Sequence, residues 1–402
     1  MNEAAADAPR RVLLTGARAP VTLELARLFA ARGHEVCIAE SVRQPLCRFS
    51  RAVRRTFHVP APNHDLEGFA DALARIITKY RIDVLLPTCE ETFHVARIRA
   101  RLPDRCRVVC EELPKLRQLH SKYAFIELAR SLGLPAPATR RETSRAALEE
   151  DIVSRDPIVL KREFSRFGCG TLVRPTRREA LDGLEVSEDV PWVVQEFIEG
   201  AQLCTYSVAN AGKVVAHAAY PADWTAGQGA TVSFAHAEHR AAERWVERFV
   251  EATGYTGQIA FDFIVRPDDV ALPIDCNPRA TSGAHLFRPG DGLCDALLGE
   301  AEDRITPTPS HRAMIALAML LYGLPTAVLQ LRLGAWLREF LAARDVIFRW
   351  RDPAPAFGQL ISYLEVGVIA LRADASMLEA STLDIEWNGE GEALAPLGPG
   401  GA

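Results

Sequence analysis

The stretch Ile259–Gly283, IAFDFIVRPDDVALPIDCNPRATSG, decides how the chain is read. It splits into two apolar runs, IAFDFIV and ALPIDCNP, separated by the turn-like RPDD, and so reads as two adjacent strands. Side chains alternate along a strand, so Asp275, Asn277 and Arg279 share one face if the extended backbone persists. Pro278 supports that reading, because it keeps Asn277 away from helical angles. Asp262, on the neighbouring strand, is placed to face them. A surface hairpin with ordinary charges would explain the same residues. Yet both acids are embedded in apolar strands, where a carboxylate is costly unless paired or bound to a cation. Carboxylate and amide oxygens are the ligands a hard cation such as Mg²⁺ takes, together with phosphate oxygens. Arg279 adds a phosphate partner.

Working outward, phosphate-binding groups precede this pair. Lys161 ends the apolar strand PIVLK, directly before the loop FSRFGCG with Gly168 and Gly170. A lysine at a strand end beside a glycine loop can meet nucleotide phosphates while backbone N–H groups close over them. Lys122 begins the helix SKYAFIELARSL, which Gly133, Pro135 and Pro137 stop. The run VVQEFIEG, apolar and then acidic, offers backbone for an adenine and an acid for a ribose. Each signal alone has a bland explanation; their order along the chain gives them weight.

The remainder sets limits. A chain of 402 residues is too long for one core. With 48% hydrophobic and 25% charged residues it is globular in composition. A net charge of −5 argues against nonspecific nucleic-acid binding. Nine cysteines without a CxxC pair read as a reduced, cytoplasmic set, and the polar start MNEAAADAPR shows no secretory signal. The first 110 residues alternate short apolar strands and amphipathic helices, the pattern of a parallel sheet covered on both faces. The first turn, TGARAPV, holds only Gly16, short of the GxGxxG fingerprint. Glu40 ends the second strand, where a nicotinamide enzyme would hold a ribose. LCTYSVANAGKVVAHAAY has the two-run pattern of a β-hairpin. Residues 313–331 lack charge and read as two buried helices meeting at Gly323-Leu324-Pro325, with a peripheral membrane contact or a dimer contact as the lesser alternatives. The later run QLISYLEVGVIAL reads as β-like. Cys276 is expected to be an inert core thiol, and His217 a satisfied hairpin histidine about as readily as a site residue.

The order SKYAFIELARSLGLPAP, PIVLKREFSRFGCGTLV, VVQEFIEG and FDFIVRPDDVALPIDCNPRATSG resembles the ATP-grasp superfamily, on the branch of biotin carboxylase, carbamoyl-phosphate synthetase and carboxylate–amine ligases. The likeness spans roughly residues 10–300. It implies an α/β and α+β fold. A Rossmann-like domain at 1–115 would be followed by an ATP-grasp small lobe at 116–190, a catalytic lobe at 191–305 and a C-terminal α+β extension at 306–402. On this resemblance Lys122 and Lys161 meet ATP phosphates under a loop carrying Gly168 and Gly170. Gln195, Glu196, Phe197 and Ile198 meet the adenine, and Glu199 or Gln202 the ribose. Asp262, Asp275 and Asn277 hold Mg²⁺, or Mn²⁺ in its place, and Arg279 acts with Lys161 as a catalytic residue. His285 and the loop GQGATVSF are expected on the substrate side. Two departures stand out: Asp275 where the family has mostly glutamate, and Gln202 where it commonly has an acid. The implied activity is ATP-dependent joining of a small carboxylate to an amine through an acylphosphate. A homodimer contact is one expected use of the C-terminal region. The competing classes are a non-catalytic nucleotide-binding or assembly protein and a nicotinamide-dependent oxidoreductase using Gly16 and Glu40.

Overall fold

In a computed structural model of the chain, described over residues 8–153, 157–166, 168, 170–176, 184–226 and 230–395, the N-terminal strands form a five-stranded parallel sheet of order β3-β2-β1-β4-β5. These are β1 (Arg11–Leu14), β2 (Glu35–Glu40), β3 (Val53–His58), β4 (Val84–Leu86) and β5 (Arg107–Val108). Helices α1 (Pro20–Ala31), α2 (Leu66–Tyr80) and α3 (Glu91–Arg97) connect them. Asp65 caps α2 by accepting from the Gly68 N–H at 2.8 Å. Gly16 makes the turn into α1 at φ +69°, where an added Cβ would lie 2.7 Å from Thr88 Oγ1. Only glycine fits so close a strand–strand approach.

Helices α4 (Leu113–His120) and α5 (Lys122–Ser131) lead into a four-stranded sheet of order β6-β9-β7-β8, with α6 (Arg145–Val153) on the same lobe. Its strands are β6 (Thr139–Glu142), β7 (Ile158–Arg162), β8 (Leu172–Val173) and β9 (Trp192–Glu196). A second four-stranded sheet, β11-β10-β15-β16, contains the expected hairpin of β10 (Ala201–Asn210) and β11 (Lys213–Pro221) beside β15 (Gly257–Val265) and β16 (Ala271–Asn277). The ribbon β12 (Thr225–Ala226) with β13 (Ala230–Thr231), then β14 (Ser233–Ala235) and helix α7 (Arg240–Thr253), lie between. Phe261 and Phe263 pack with Phe125 of α5 and with Trp245 and Phe249 of α7. Strand alternation therefore turns Asp262 to the opposite, polar face.

The C-terminal region departs from expectation in two places. Residues 313–331 open with β17 (Arg312–Met314), which pairs with β14 and with β18 (Arg344–Asp345). They continue as one helical run over Ala316–Leu329, with a π-type turn at Met319–Gly323 and no break at Gly323-Leu324-Pro325. Pro325 falls where its missing N–H is tolerated, so the run continues through it. The run is largely exposed rather than buried: Leu321, Tyr322, Val328 and Leu329 all face outward. Helix α8 (Leu333–Ala342) follows it. The β-like QLISYLEVGVIAL lies inside a 20-residue helix, α9 (Ala354–Ala373). Its apolar residues run on without alternation, and α9 is too long for an ordinary strand.

Candidate active site

Asp262 and Asp275 are register partners on β15 and β16. The register slips after Asp262, so that Phe263 pairs with Pro273 and Ile274 is left over. The spare Ile274 carbonyl accepts from Lys161 Nζ at 3.0 Å. The same ammonium donates to Gln195 Oε1 at 2.9 Å, so the strand-end lysine of β7 bridges the two sheets. Lys122, the first residue of α5, donates to the Ser165 carbonyl at 2.8 Å and lies 3.5 Å from Asp275 Oδ1. Asn277 Nδ2 reaches Asp262 Oδ2 at 3.4 Å. Two lysines, two aspartates and an asparagine thus converge.

Burial shapes their electrostatics. It pushes the Asp262 carboxyl up to about 6, helped by the charge of Asp275. It brings the Lys161 ammonium down to about 8, against the pull of Asp275. A cation and polyphosphate would relieve both strains at once. Among the described residues no group of three His, Cys, Asp or Glu side chains is arranged to hold a metal ion. Asp262, Asp275 and Asn277 are oxygen-bearing side chains that could contribute to a Mg²⁺ ion keeping phosphate and water ligands.

Arg279 belongs to a wider network. Its Nη2 donates to Asn277 Oδ1 at 3.0 Å, and its Nε to Glu90 Oε1 at 2.8 Å, in the turn after β4. Burial pushes the Glu90 carboxyl up, but Arg279, His120 and Arg166 together carry it down to about 2. The second oxygen, Glu90 Oε2, is buried without a hydrogen-bond partner, as is Arg166 Nη1 at 4.0 Å. Arg166, from the glycine loop, pairs through its other nitrogen with Glu386. Sequence reasoning passed over Glu90, Arg166 and Glu386. The glycine-loop arginine was in view, but nothing local ties PTCEE or LDIEWN to this site.

Glu386 sits in a C-terminal strap that crosses the N-terminal sheet and the glycine loop. Its Asp384 pairs with Arg18. Trp387 stacks on Phe93 at 5.0 Å and meets Phe164 edge-on at 6.1 Å. His94 and His120 each lie 3.2 Å from a strap carbonyl, those of Glu386 and Trp387.

The remaining expected residues separate. Gln195 is buried, with its amide taken by Lys161 and Thr139. The Glu196 side chain accepts from the Ala138 N–H at 3.0 Å, and the Phe197 N–H donates to the Pro157 carbonyl. Strand β9 is central in its sheet, so the open backbone begins only at Ile198. Glu199 is exposed and Gln202 half-buried. Gly168 and Gly170 both take φ +69°, while Phe167 and Cys169 lie outside the described residues, as do Gly227–Gly229 of the GQGATVSF loop. His285 is a correction: it is buried, stacked on Phe234 at 5.4 Å and 3.4 Å from Glu24 Oε2, so it does not line a substrate face. His217 is likewise a core residue, bonded to Ser207 Oγ at 2.9 Å. Cys276 is buried. Glu40 accepts from Arg18 at 2.6 Å and is enclosed, which removes the group a nicotinamide ribose would need.

A family model described as the ATP-grasp domain matches residues 119–283. Among solved structures, the ADP complex of N5-carboxyaminoimidazole synthetase from Staphylococcus aureus superposes with a TM-score of 0.63 at 12% identity, covering 79% of this chain and 86% of that one. L-amino acid ligase from Bacillus licheniformis gives 0.57 at 15% identity, covering 75% and 78%. The biotin carboxylase domain of the Hydrogenobacter thermophilus 2-oxoglutarate carboxylase, solved with MgADP and bicarbonate, gives 0.56 at 12%, covering 73% and 70%. No curated protein sequence gives a significant match. The parallel N-terminal sheet, the two lobes meeting at Lys161 and the matched stretch agree, and residues 119–283 form an ATP-grasp domain.

Proposed function

We propose that the protein is an ATP-dependent carboxylate–amine ligase that makes an amide through an acylphosphate, releasing ADP and phosphate. The observation that carries this reading is the convergence of Lys122, Lys161, Asp262, Asp275 and Asn277 on one face, with Arg279 beside them. Asp262, Asp275 and Asn277 would hold Mg²⁺. A cation held there would neutralise charge on the ATP phosphates. Lys161 and Lys122 would bind the transferring phosphoryl group, where catalysis is mostly positioning and charge stabilisation. Ile198, with Glu199 or Gln202, would orient the adenosine.

A carboxylate oxygen then attacks the γ-phosphorus as the bond to the bridging oxygen of ADP breaks. The amine lone pair adds to the acyl carbon, phosphate leaves with the electrons of the C–O bond, and the nitrogen loses a proton. Arg279 would stabilise the oxyanion of that adduct. Glu90 Oε2, which no hydrogen bond occupies although His120 Nε2 and Arg166 Nη1 lie 3.9 and 4.0 Å away, would accept from an N–H of the amine and orient it. Phe164 and Trp387, which meet edge-on, would help keep water from the acylphosphate, which it would hydrolyse.

The test is ADP formation across paired panels of acids and amines, with bicarbonate among the acids. Release that requires both members supports the ligase. Release with bicarbonate and an amine assigns carboxylation, the chemistry of the carboxylase neighbours. Nucleotide binding with no turnover for any pair would point to a non-catalytic binding protein.

A further inference from the structure

The helical run Ala316–Leu329, α8 and α9 each bury one side and leave the other bare. The bare sides are apolar: Leu329 is 85% exposed, Leu331 93%, Leu341 76%, Phe357 70%, Leu364 73% and Leu371 87%. Trp350, between α8 and α9, is 89% exposed. The helical run and α8 are joined where Trp336 Nε1 donates to the Met319 carbonyl at 3.1 Å, and Tyr363 of α9 interacts electrostatically with Tyr322 of the run. Scattered exposed leucines need no explanation, but so many large apolar side chains bare on three successive helical segments do.

The charges on this region are sorted by direction. Its carboxylates are used inward. Glu339 accepts from Ser233 at 2.6 Å and pairs with Arg312, Asp345 accepts from the Phe348 N–H at 2.9 Å, and Asp352 binds Arg27 at 2.9 Å. Glu365 accepts from the Arg43 and Gln44 N–H groups at 2.9 and 2.8 Å. Arg338, Arg351 and Arg372 are exposed, and Arg332 stacks over Trp224 at 5.1 Å. Around the apolar face the exposed arginines outnumber the exposed acids, on a chain whose net charge is −5; Asp374 and Glu379, beyond Arg372, are the exposed acids.

We infer that this face docks on an anionic lipid bilayer, with the helices lying in the plane of the interface. Apolar side chains would sit below the headgroups, arginines at the phosphates and Trp350 at the boundary. A two-fold contact between copies would bring two faces of the same net positive sign together, which disfavours self-association. Helix α9 is apolar and long enough to cross a membrane. However, its other side is fastened to the N-terminal domain: Gly358 packs on Phe49, and Ser362 Oγ donates to the Gln44 carbonyl at 2.6 Å. It lies on the membrane rather than through it. The inference is independent of the ligase reading.

The test is flotation of the full-length protein with vesicles of equal parts phosphatidylglycerol and phosphatidylcholine, against vesicles of phosphatidylcholine alone. Co-flotation with the anionic vesicles, weakened several-fold by salt or by Arg351→Glu, is expected. The double variant Leu364→Asp/Leu371→Asp should lose at least tenfold in vesicle binding with an unchanged circular dichroism spectrum. Failure of the parent protein to float with anionic vesicles would overturn the inference. So would a concentration-dependent dimer abolished by the same double variant, which would assign the face to a second copy.

Discussion

Arg279 is held at both ends, by Asn277 on its own strand end and by Glu90 from the preceding domain. Arg279→Ala is expected to lower turnover by roughly 10²–10³, the usual effect of losing one oxyanion contact. Steady-state rates with a productive substrate pair check it. Glu90→Gln keeps the shape but removes the charge and one acceptor. It should raise the KM for the amine more than that for ATP, and a uniform loss in all parameters would leave Glu90 a purely structural role. Burial brings the Lys161 ammonium down to about 8. Polyphosphate must restore its ordinary high value, so nucleotide binding above pH 8 should take up close to one proton. Calorimetry in buffers of different ionisation enthalpy reads this directly. At this scale the sequence was most legible where chemistry is local. Asp275, Asn277 and Arg279 alternate within five residues, and Lys161 ends a strand. Glu90 was not legible, because only the fold brings PTCEE beside NPR.

Among the elements, the β15–β16 pair and the β10–β11 hairpin follow from apolar runs bounded by turns. Strand alternation alone places Asp262 opposite the phenylalanines. Helix α9 was not legible, since an apolar run rich in Ile and Val gives strand and helix the same signal. His285 misled for a related reason: it follows the site in sequence, but the turn at Ser282–Leu286 carries it into the core. The junction ahead of β10 makes a separate prediction. A Cβ at Gly200 would lie 2.2 Å from the Val265 carbonyl, a backbone atom that cannot swing away. Gly200→Ala should cost about 1–3 kcal/mol of stability, as overpacking does, measured by urea unfolding. It should also weaken ATP binding, because Ile198 and Glu199 lead into the same junction.

For the molecule as a whole, acid should act through buried histidines. Burial pulls His94 and His120 down to about 4 from an ordinary value near 6.5. The unfolded chain binds more protons than the folded one between those limits. Stability is therefore complete above pH 6.5 and declines as pH falls toward 4. Thermal melts across that range should show Tm dropping by several degrees. His94→Asn should flatten part of the slope even if it lowers Tm at neutral pH.

Both histidines bond to the strap that carries Asp384, Glu386 and Trp387, and this geometry bears on how the chain assembles. Arg18 meets Asp384 across 366 residues of sequence, and Arg166 meets Glu386 across 220. Contacts of such separation are slow to form, because a long loop must close before anything rewards it. During synthesis the parallel sheet and both lobes leave the ribosome before the strap that joins them. The contact between Phe164 and Trp387 is then among the last to form, and competence for chemistry should lag behind the collapse of the individual domains.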